Sequence, residues 1–220
     1  MTTNPLIRPF DAVLCDIDNV IRHYDPAPLA ALEKAAGVAE GTTARIAFAP
    51  EVDLPMLVGT ITPREWVEVI TAAFVRQDVL TEAAARPLAA ALASSPFAAD
   101  EAVVALLRRI RDEARLPLVL VSNASVDLED DLAALGLTAL ADHVVSSARV
   151  GVAKPDPRIY AIAVEHAGVA AERCLFVDDS RENIDAALAL GMSVLHYREP
   201  GGLRAALEPA FAAIRPPAVP

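Results

Sequence analysis

Two hydrophobic periods alternate along the second half of the chain. After residue 97, short continuous apolar runs alternate with segments whose apolar residues recur every three or four positions. Short runs favour buried strands, and the longer spacing favours amphipathic helices. The predicted strands are FDAVLCD near the start of the chain and residues 116–123, 143–151, 174–179 and 192–197. Alternation of this kind predicts an α/β fold with a doubly wound, Rossmann-like parallel sheet.

Helices are predicted between these strands at residues 100–114, 127–137, 156–168 and 180–191, with a last one from residue 201. One of them begins with Asp156 as the N-cap and Pro157 at the first helical position. Gly136 and Gly191 stand where helix ends are expected.

Residues 24–97 do not follow that alternation, because they are almost entirely helical in pattern. A simple βαβ unit needs only ~30 residues, yet residues 17–115 separate the first two predicted strands. Helices are predicted at 27–37, 62–77 and 81–95, the second with a capping box from Thr62 and Glu65. We therefore expect an α/β core from 1–23 and 98–215, a helical cap at 24–97 and a tail at 216–220.

Composition excludes several classes of protein. The 220 residues carry a net charge of −11, and the one basic cluster is RRIRDEAR at 108–115, so nucleic-acid binding is not expected. No apolar run reaches the ~20 residues needed to cross a bilayer. The first 15 residues show no signal-peptide pattern, so a cytoplasmic location is expected. Cys15 and Cys174 lie in apolar runs and are predicted to be buried free thiols. The pattern leaves monomer and homodimer open.

Polar residues follow four of the predicted strands or strand–helix junctions. In open α/β sheets, ligands bind at the carboxyl ends of the strands, so these side chains should share one rim. Only two of the 19 basic residues are lysines, which makes a lysine followed by proline at such a junction notable. The residues are Asp16, Asp18, Ser122, Asn123, Lys154, Asp178 and Asp179.

Four carboxylates on one rim would repel one another without a cation. Mg²⁺ prefers oxygen ligands and bridges to phosphate, and Ser122 and Lys154 could bind the phosphate oxygens. Taken singly, each motif has a simpler explanation: a turn, a helix cap or a surface lysine. Taken in order, they indicate Mg²⁺-assisted phosphoryl transfer on a small phosphorylated substrate.

The ordered motifs resemble those of the haloacid dehalogenase-like (HAD) superfamily. They are CDIDNV, LVLVSNAS, VGVAKPDPRIY and CLFVDDSRENIDAA. The helical insertion after the first motif resembles the C1-type cap of that superfamily, and the most similar branch is that of the small-molecule phosphatases. Asn19 stands where many members carry glycine.

The resemblance implies a role for each motif residue. Asp16 matches the nucleophile, which would form an aspartyl-phosphate, and Asp18 matches the general acid/base. Asp16, the backbone carbonyl of Asp18 and Asp179 match Mg²⁺ ligands. Ser122 and Lys154 match the phosphate-binding pair, and Asn123 would orient the site or touch the phosphate. Asp178 and Asn183 match residues that support the site from outside.

Substrate choice should depend on the cap. The candidate specificity residues are His23, Tyr24 and Arg45, with Phe48 and Trp66 near the predicted opening. Simpler interpretations are a packed hinge for His23, a solvent-exposed helix face for Arg45 and a core position for Trp66.

Four other functions stay open beside the phosphatase. They are a phosphomutase, a haloacid dehalogenase, a receiver-like phospho-acceptor domain and an inactive binding protein. Asp18 weighs against the dehalogenase, because the dehalogenases of this superfamily lack an acid/base aspartate two residues after the nucleophile. A receiver-like domain would need no helical insertion, and no motif residue is missing to suggest an inactive protein.

Overall fold

The structure is a computed structural model that describes residues 8–212. The predicted tail at 216–220 and the first seven residues lie outside this range. None of the helices in the described part is long and apolar enough to cross a membrane. Both cysteines are buried and free, as predicted.

The core is a five-stranded parallel sheet, which confirms the predicted α/β class. Its strands, numbered in chain order, are β1 (Ala12–Cys15), β4 (Leu118–Ser122), β5 (His143–Ser146), β6 (Cys174–Asp178) and β7 (Ser193–His196), in the order β5-β4-β1-β6-β7. The central strand β1 pairs on both sides, with Leu14 opposite Val119 and Phe176. The strand order reverses direction at β1, so the carboxyl end of β1 lies at the switch point where ligands bind.

Helices cover both faces of the sheet. They are α6 (Glu101–Asp112), α7 (Leu128–Ala134), α8 (Ser147–Val150), α9 (Pro157–Ala167), α10 (Arg181–Ala189) and α11 (Pro200–Ala212). Alternate residues of β1 enter two different hydrophobic clusters, with Val13 and Cys15 on one side and Ala12 and Leu14 on the other. This two-residue period explains why the strand is apolar on both faces, and it confirms the doubly wound arrangement.

One strand prediction was wrong in its second half. Residues 143–151 were predicted as a single strand, but β5 ends at Ser146 and residues 147–150 form α8. The Ser147 hydroxyl accepts from the backbone N–H of Ala124 at 3.0 Å and donates to its carbonyl at 3.3 Å, which turns the chain away from the sheet. A periodicity test does not detect this turn, because the hydrogen bonds join residues distant in sequence.

The helical insertion lies between two short strands, β2 (Arg22–Tyr24) and β3 (Phe97–Ala99), which pair antiparallel and which the sequence did not predict. Its five helices pack around a hydrophobic cluster of their own that includes Trp66, Ile70 and Phe74. The capping box of Thr62 and Glu65 is present. The helices are α1 (Ala27–Ala35), α2 (Thr42–Ala47), α3 (Pro50–Leu57), α4 (Pro63–Arg76) and α5 (Glu82–Ala93).

The insertion meets the core at Gly59, in the turn between α3 and α4. Gly59 has a φ of +72°, and a Cβ built there would lie 2.3 Å from the carbonyl oxygen of Ala148 in α8. Heavy atoms do not tolerate that distance, so only glycine permits the contact. Gly37 has a similar φ of +77° with nothing within 4 Å of a built Cβ.

The two glycines therefore form a matched pair for testing the contact between insertion and core. Gly37→Ala should cost about 1–2 kcal/mol from the left-handed backbone alone. Gly59→Ala should cost more, because the clash with Ala148 adds to the same strain. The free energy of unfolding from urea titration measures both, and equal losses would show that the contact at Gly59 contributes nothing.

Candidate active site

Asp16 follows the last residue of the central strand and is held there by the backbone. Its N–H donates to the carbonyl of Val177 at 2.8 Å, and its Oδ1 accepts from the N–H of Ile17 at 2.7 Å. The residue is only 6% exposed. The aspartate therefore has a fixed position at the carboxyl edge of the sheet.

Lys154 links two carboxylates inside this edge. Its Nζ lies 2.7 Å from Asp16 Oδ1 and 2.7 Å from Asp178 Oδ2, and its side chain is 1% exposed. Asp178 is the last residue of β6 and is fully buried. One buried ammonium thus compensates two buried carboxylates from neighbouring strands.

Asn123 positions Lys154 through its backbone. The side-chain Nδ2 of Asn123 donates to the carbonyl of Lys154 at 2.9 Å, and its Oδ1 accepts from the N–H of Lys154 at 2.7 Å. The amide therefore orients the loop that carries the lysine, which is one of the two roles that the sequence suggested for it.

Asn183 supports Asp178 from the first turns of α10. Its Nδ2 lies 3.1 Å from both carboxylate oxygens of Asp178, and the N–H of Ser180 donates to Asp178 Oδ1 at 2.8 Å. These contacts agree with the outer-support role that the resemblance implies for Asn183. They fix the orientation of the carboxylate that receives Lys154.

Three carboxylates form a cluster in which ligand atoms of Asp16, Asp178 and Asp179 all lie within 4.8 Å of one another. When all three carboxylates are ionised, Lys154 neutralises one of the three negative charges, which leaves a balance of two. A hard divalent cation such as Mg²⁺ suits both this charge and these oxygen donors. The cluster contains Asp178 beside Asp16 and Asp179, the two carboxylate ligands predicted from the sequence. The side chain of Asp18 is not part of it and contacts Arg22 and Ser122 instead.

Burial dominates the electrostatics of the cluster. Burial raises the pKa of Asp16 to about 8, Lys154 opposes the shift, and Asp178 adds to it. Burial alone would lower the pKa of Lys154, but the carboxylates of Asp16 and Asp178 outweigh it, so that pKa is raised. The pKa of Asp179 is raised by burial and by Asp178, against a hydrogen bond from Asn19. A bound cation would favour the ionised form of all three carboxylates.

Asp18 lies in a second charge network. Arg22 Nε donates to Asp18 Oδ1 at 2.7 Å, and the Ser122 hydroxyl donates to Asp18 Oδ2 at 3.3 Å. Asp18 keeps a third of its side chain exposed, at 33%, whereas Arg22 is 4% exposed. Asp18 is thus the accessible carboxylate and Asp16 the buried one.

Sequence reasoning missed Arg22. Besides Asp18, its Nη1 donates to Asp131 Oδ2 on α7 at 2.8 Å, and its guanidinium lies 3.8 Å from the ring centroid of Phe97 on β3. A signal was available, since an arginine follows the apolar pair Val20 and Ile21, four residues after Asp18. Asp131, 109 residues away, offered none.

A cavity of about 500 Å³ lies between the insertion and this rim. Asp18, Asn19 and Asn123 line its core side, and Tyr24 and Trp66 line the side of the insertion. Phe48 lines it as well and stacks on Trp66 at 6.1 Å between ring centroids. His23 and Arg45, two of the three predicted specificity residues, are exposed and are not among its lining residues.

Residues 10–191 match the family model of the haloacid dehalogenase-like hydrolases, so the chain belongs to that family. Its fold is that of a HAD-like hydrolase, as the motifs predicted.

Relatives bear several activities by name. The chain is 45% identical over 53 residues to Phosphatase MT3486 of Mycobacterium tuberculosis (strain CDC 1551 / Oshkosh), a match that spans 24% of each protein. The fold matches the HAD family enzyme bt-2542 of Bacteroides thetaiotaomicron, with a TM-score of 0.64, 18% identity and coverage of 87% of this chain and 95% of that one. That enzyme has been solved in complex with magnesium and inorganic phosphate. L-2-haloacid dehalogenase RSc1362 matches with a TM-score of 0.62, 25% identity and coverage of 84% and 85%.

The raised pKa of Asp16 predicts how stability depends on pH. Because the folded pKa, about 8, lies above the unfolded value near 3.8, the folded state holds the proton more tightly. The contribution of Asp16 to the stability of the metal-free protein should therefore fall as pH rises from about 4 to about 8.

Asp16→Asn should remove that loss and unfold at a higher temperature than the wild type at pH 8 without divalent cation, by a few degrees. The difference in unfolding temperature between the variant and the wild type should narrow towards pH 5. Mg²⁺ should stabilise the wild type more than the variant. Asp11→Asn is the control, because Asp11 forms an exposed ion pair with Arg173 that lowers its pKa and contributes at most about 1 kcal/mol. Thermal scans in which Asp16→Asn is less stable at every pH would contradict the assignment.

Proposed function

We propose that the protein is a Mg²⁺-dependent phosphatase that hydrolyses a small phosphorylated metabolite through an aspartyl-phosphate on Asp16. The observation that carries the proposal is the division between two neighbouring carboxylates. Asp16 is buried against Lys154, whereas Asp18 faces the cavity. A departing halide needs no proton, but a departing alkoxide does, and Asp18 in its protonated form would supply one from the cavity wall.

Each residue has a step in this mechanism. Asp16 attacks the phosphorus atom, and the ester oxygen leaves as Asp18 protonates it. Asp18 then accepts a proton from the water that attacks the phosphoenzyme, which releases phosphate and restores Asp16. Ser122 and Lys154, which the resemblance matches to phosphate binding, would hold phosphoryl oxygens during both steps.

The acidic cluster is the proposed Mg²⁺ site. Asp16 and Asp179 would hold the ion with Asp178 beside them, and the resemblance adds the backbone carbonyl of Asp18. When bound, Mg²⁺ would neutralise charge on the phosphoryl oxygens. The names of the relatives give further support, since one is a phosphatase and another binds magnesium and phosphate. The likeness to a haloacid dehalogenase makes halide displacement the rival activity.

The first test is release of inorganic phosphate from 4-nitrophenyl phosphate and from a panel of phosphorylated metabolites. Activity should require Mg²⁺, stop on chelation and fall by several orders of magnitude in Asp16→Asn, because the nucleophile is lost. Undiminished release in that variant would remove Asp16 from the mechanism. Halide release from a 2-haloacid without added metal would establish the rival, and transfer to a second hydroxyl without net phosphate release would indicate a mutase.

The second test concerns Asp18 as the proton donor. Asp18→Asn should slow hydrolysis of alkyl phosphates by about 10²–10⁴-fold. An aryl phosphate should be slowed much less in its first step, because nitrophenolate leaves without protonation. Burst kinetics separate that step from hydrolysis of the phosphoenzyme. The control is Asp130→Asn, at an exposed position on α7, which should leave the rates with both substrates unchanged. An equal loss of rate with both substrates in the first step would rule out the acid role of Asp18.

A further inference from the structure

The insertion side of the cavity contains two buried polar atoms without partners. Within residues 8–212, four buried side-chain polar atoms lack a hydrogen-bond partner, and two of them, Asp53 Oδ1 and Trp66 Nε1, belong to residues that line this cavity. Trp66 is 5% exposed. An unsatisfied buried polar group costs about 1–3 kcal/mol. Neither atom has appreciable accessible surface, so pairing with a ligand requires the two side chains to turn towards the cavity. A ligand that draws both side chains into the cavity would account for their retention in one wall.

The charges around the cavity are unfavourable for a second anionic group. Among its lining residues in the described chain, Arg22 is the only basic one, and Asp18 and Asp131 already neutralise it. Lys154, deeper in the core, is engaged by two carboxylates. Asp53 adds a further acidic group to the wall, so a carboxylate or second phosphate on the leaving group would be repelled.

The same wall suits a carbon skeleton that carries hydrogen-bond donors. Phe48 and Trp66 stack beside Asp53 in the lining and provide an aromatic surface. The Asp53 carboxyl can accept a hydrogen bond, and the Trp66 indole can only donate one. Burial raises the pKa of Asp53 to about 7, so an approaching ammonium group would favour its ionised form.

We infer, building on the proposed phosphatase function, that Asp53 and Trp66 select the substrate. It is a phosphate monoester whose leaving group donates a hydrogen bond to Asp53 from a hydroxyl or ammonium group, accepts one from Trp66, and carries no second anion. Sugar and amino-sugar monophosphates belong to this class, whereas phosphoglycolate does not.

Trp66 is the only tryptophan of the chain, so its fluorescence reports ligand binding in the cavity without catalysis. The experiment titrates Asp16→Asn with glucose 6-phosphate, glucosamine 6-phosphate and phosphoglycolate. The two sugar phosphates should change the emission and bind at least about tenfold more tightly than phosphoglycolate. Adding Asp53→Leu to the Asp16→Asn variant should reduce the preference for the sugar phosphates over phosphoglycolate about 10- to 100-fold. Glu51→Gln, an exposed acidic residue on the same helix, should leave it unchanged.

Stability distinguishes binding from a structural role. Asp53→Leu should raise the unfolding temperature, because it removes an unpaired buried oxygen; if Asp53→Leu fails to fold, Asp53→Asn replaces it in the titrations. A preference for phosphoglycolate, or equal weakening of all three ligands, would overturn the inference. Hydrolysis of 4-nitrophenyl phosphate by the wild type tests the phosphatase function separately, so failure of one conclusion is not mistaken for failure of the other.

Discussion

The ammonium of Lys154 lies between the carboxylates of Asp16 and Asp178, and the remainder of the site is built around this buried triad. Removing three charges from water is costly, and their mutual attraction offsets the cost only when geometry and further hydrogen bonds are good. The three residues come from the end of β1, the loop before α9 and the end of β6. They meet only because β6 lies beside β1 in the sheet and the loop before α9 brings Lys154 to the ends of these two strands.

The supporting hydrogen bonds follow from that requirement. Asn123 fixes the backbone of Lys154, Asn183 fixes the carboxylate of Asp178, and Ser147 anchors the loop after β4. With Asp179 added, the cluster has an excess of two negative charges, which suits a divalent cation. Arg22 neutralises Asp18 in a separate network, so the two aspartates one residue apart have different environments. This difference is the structural basis for giving them different chemical roles.

Much of this arrangement was predictable from sequence, because strands and helices here have strong local patterns. The ends of the strands and one strand–helix junction predicted a shared rim, and the ordered motifs indicated the family. The residues of the predicted rim are Asp16, Asp18, Ser122, Asn123, Lys154, Asp178 and Asp179. The residues that escaped prediction depend on packing between distant segments. Arg22 meets Asp131 across 109 residues, β2 pairs with β3 across the whole insertion, and Ser147 ends a strand by bonding to Ala124. Asp53 was missed because its isolation becomes visible only when its neighbours are placed.

The proposed chemistry depends on a covalent bond between Asp16 and the phosphoryl group. The most direct measurement is rapid acid quenching of the enzyme with substrate and Mg²⁺, followed by digestion and mass spectrometry. The account predicts one phosphoryl group on the peptide that contains Asp16. With 4-nitrophenyl phosphate, whose first step needs no proton from Asp18, the amount should be larger in Asp18→Asn because hydrolysis of the intermediate is slowed. A phosphoryl group on Ser122 or on any other residue, or turnover with no phosphoenzyme under conditions that preserve acyl phosphates, would contradict it.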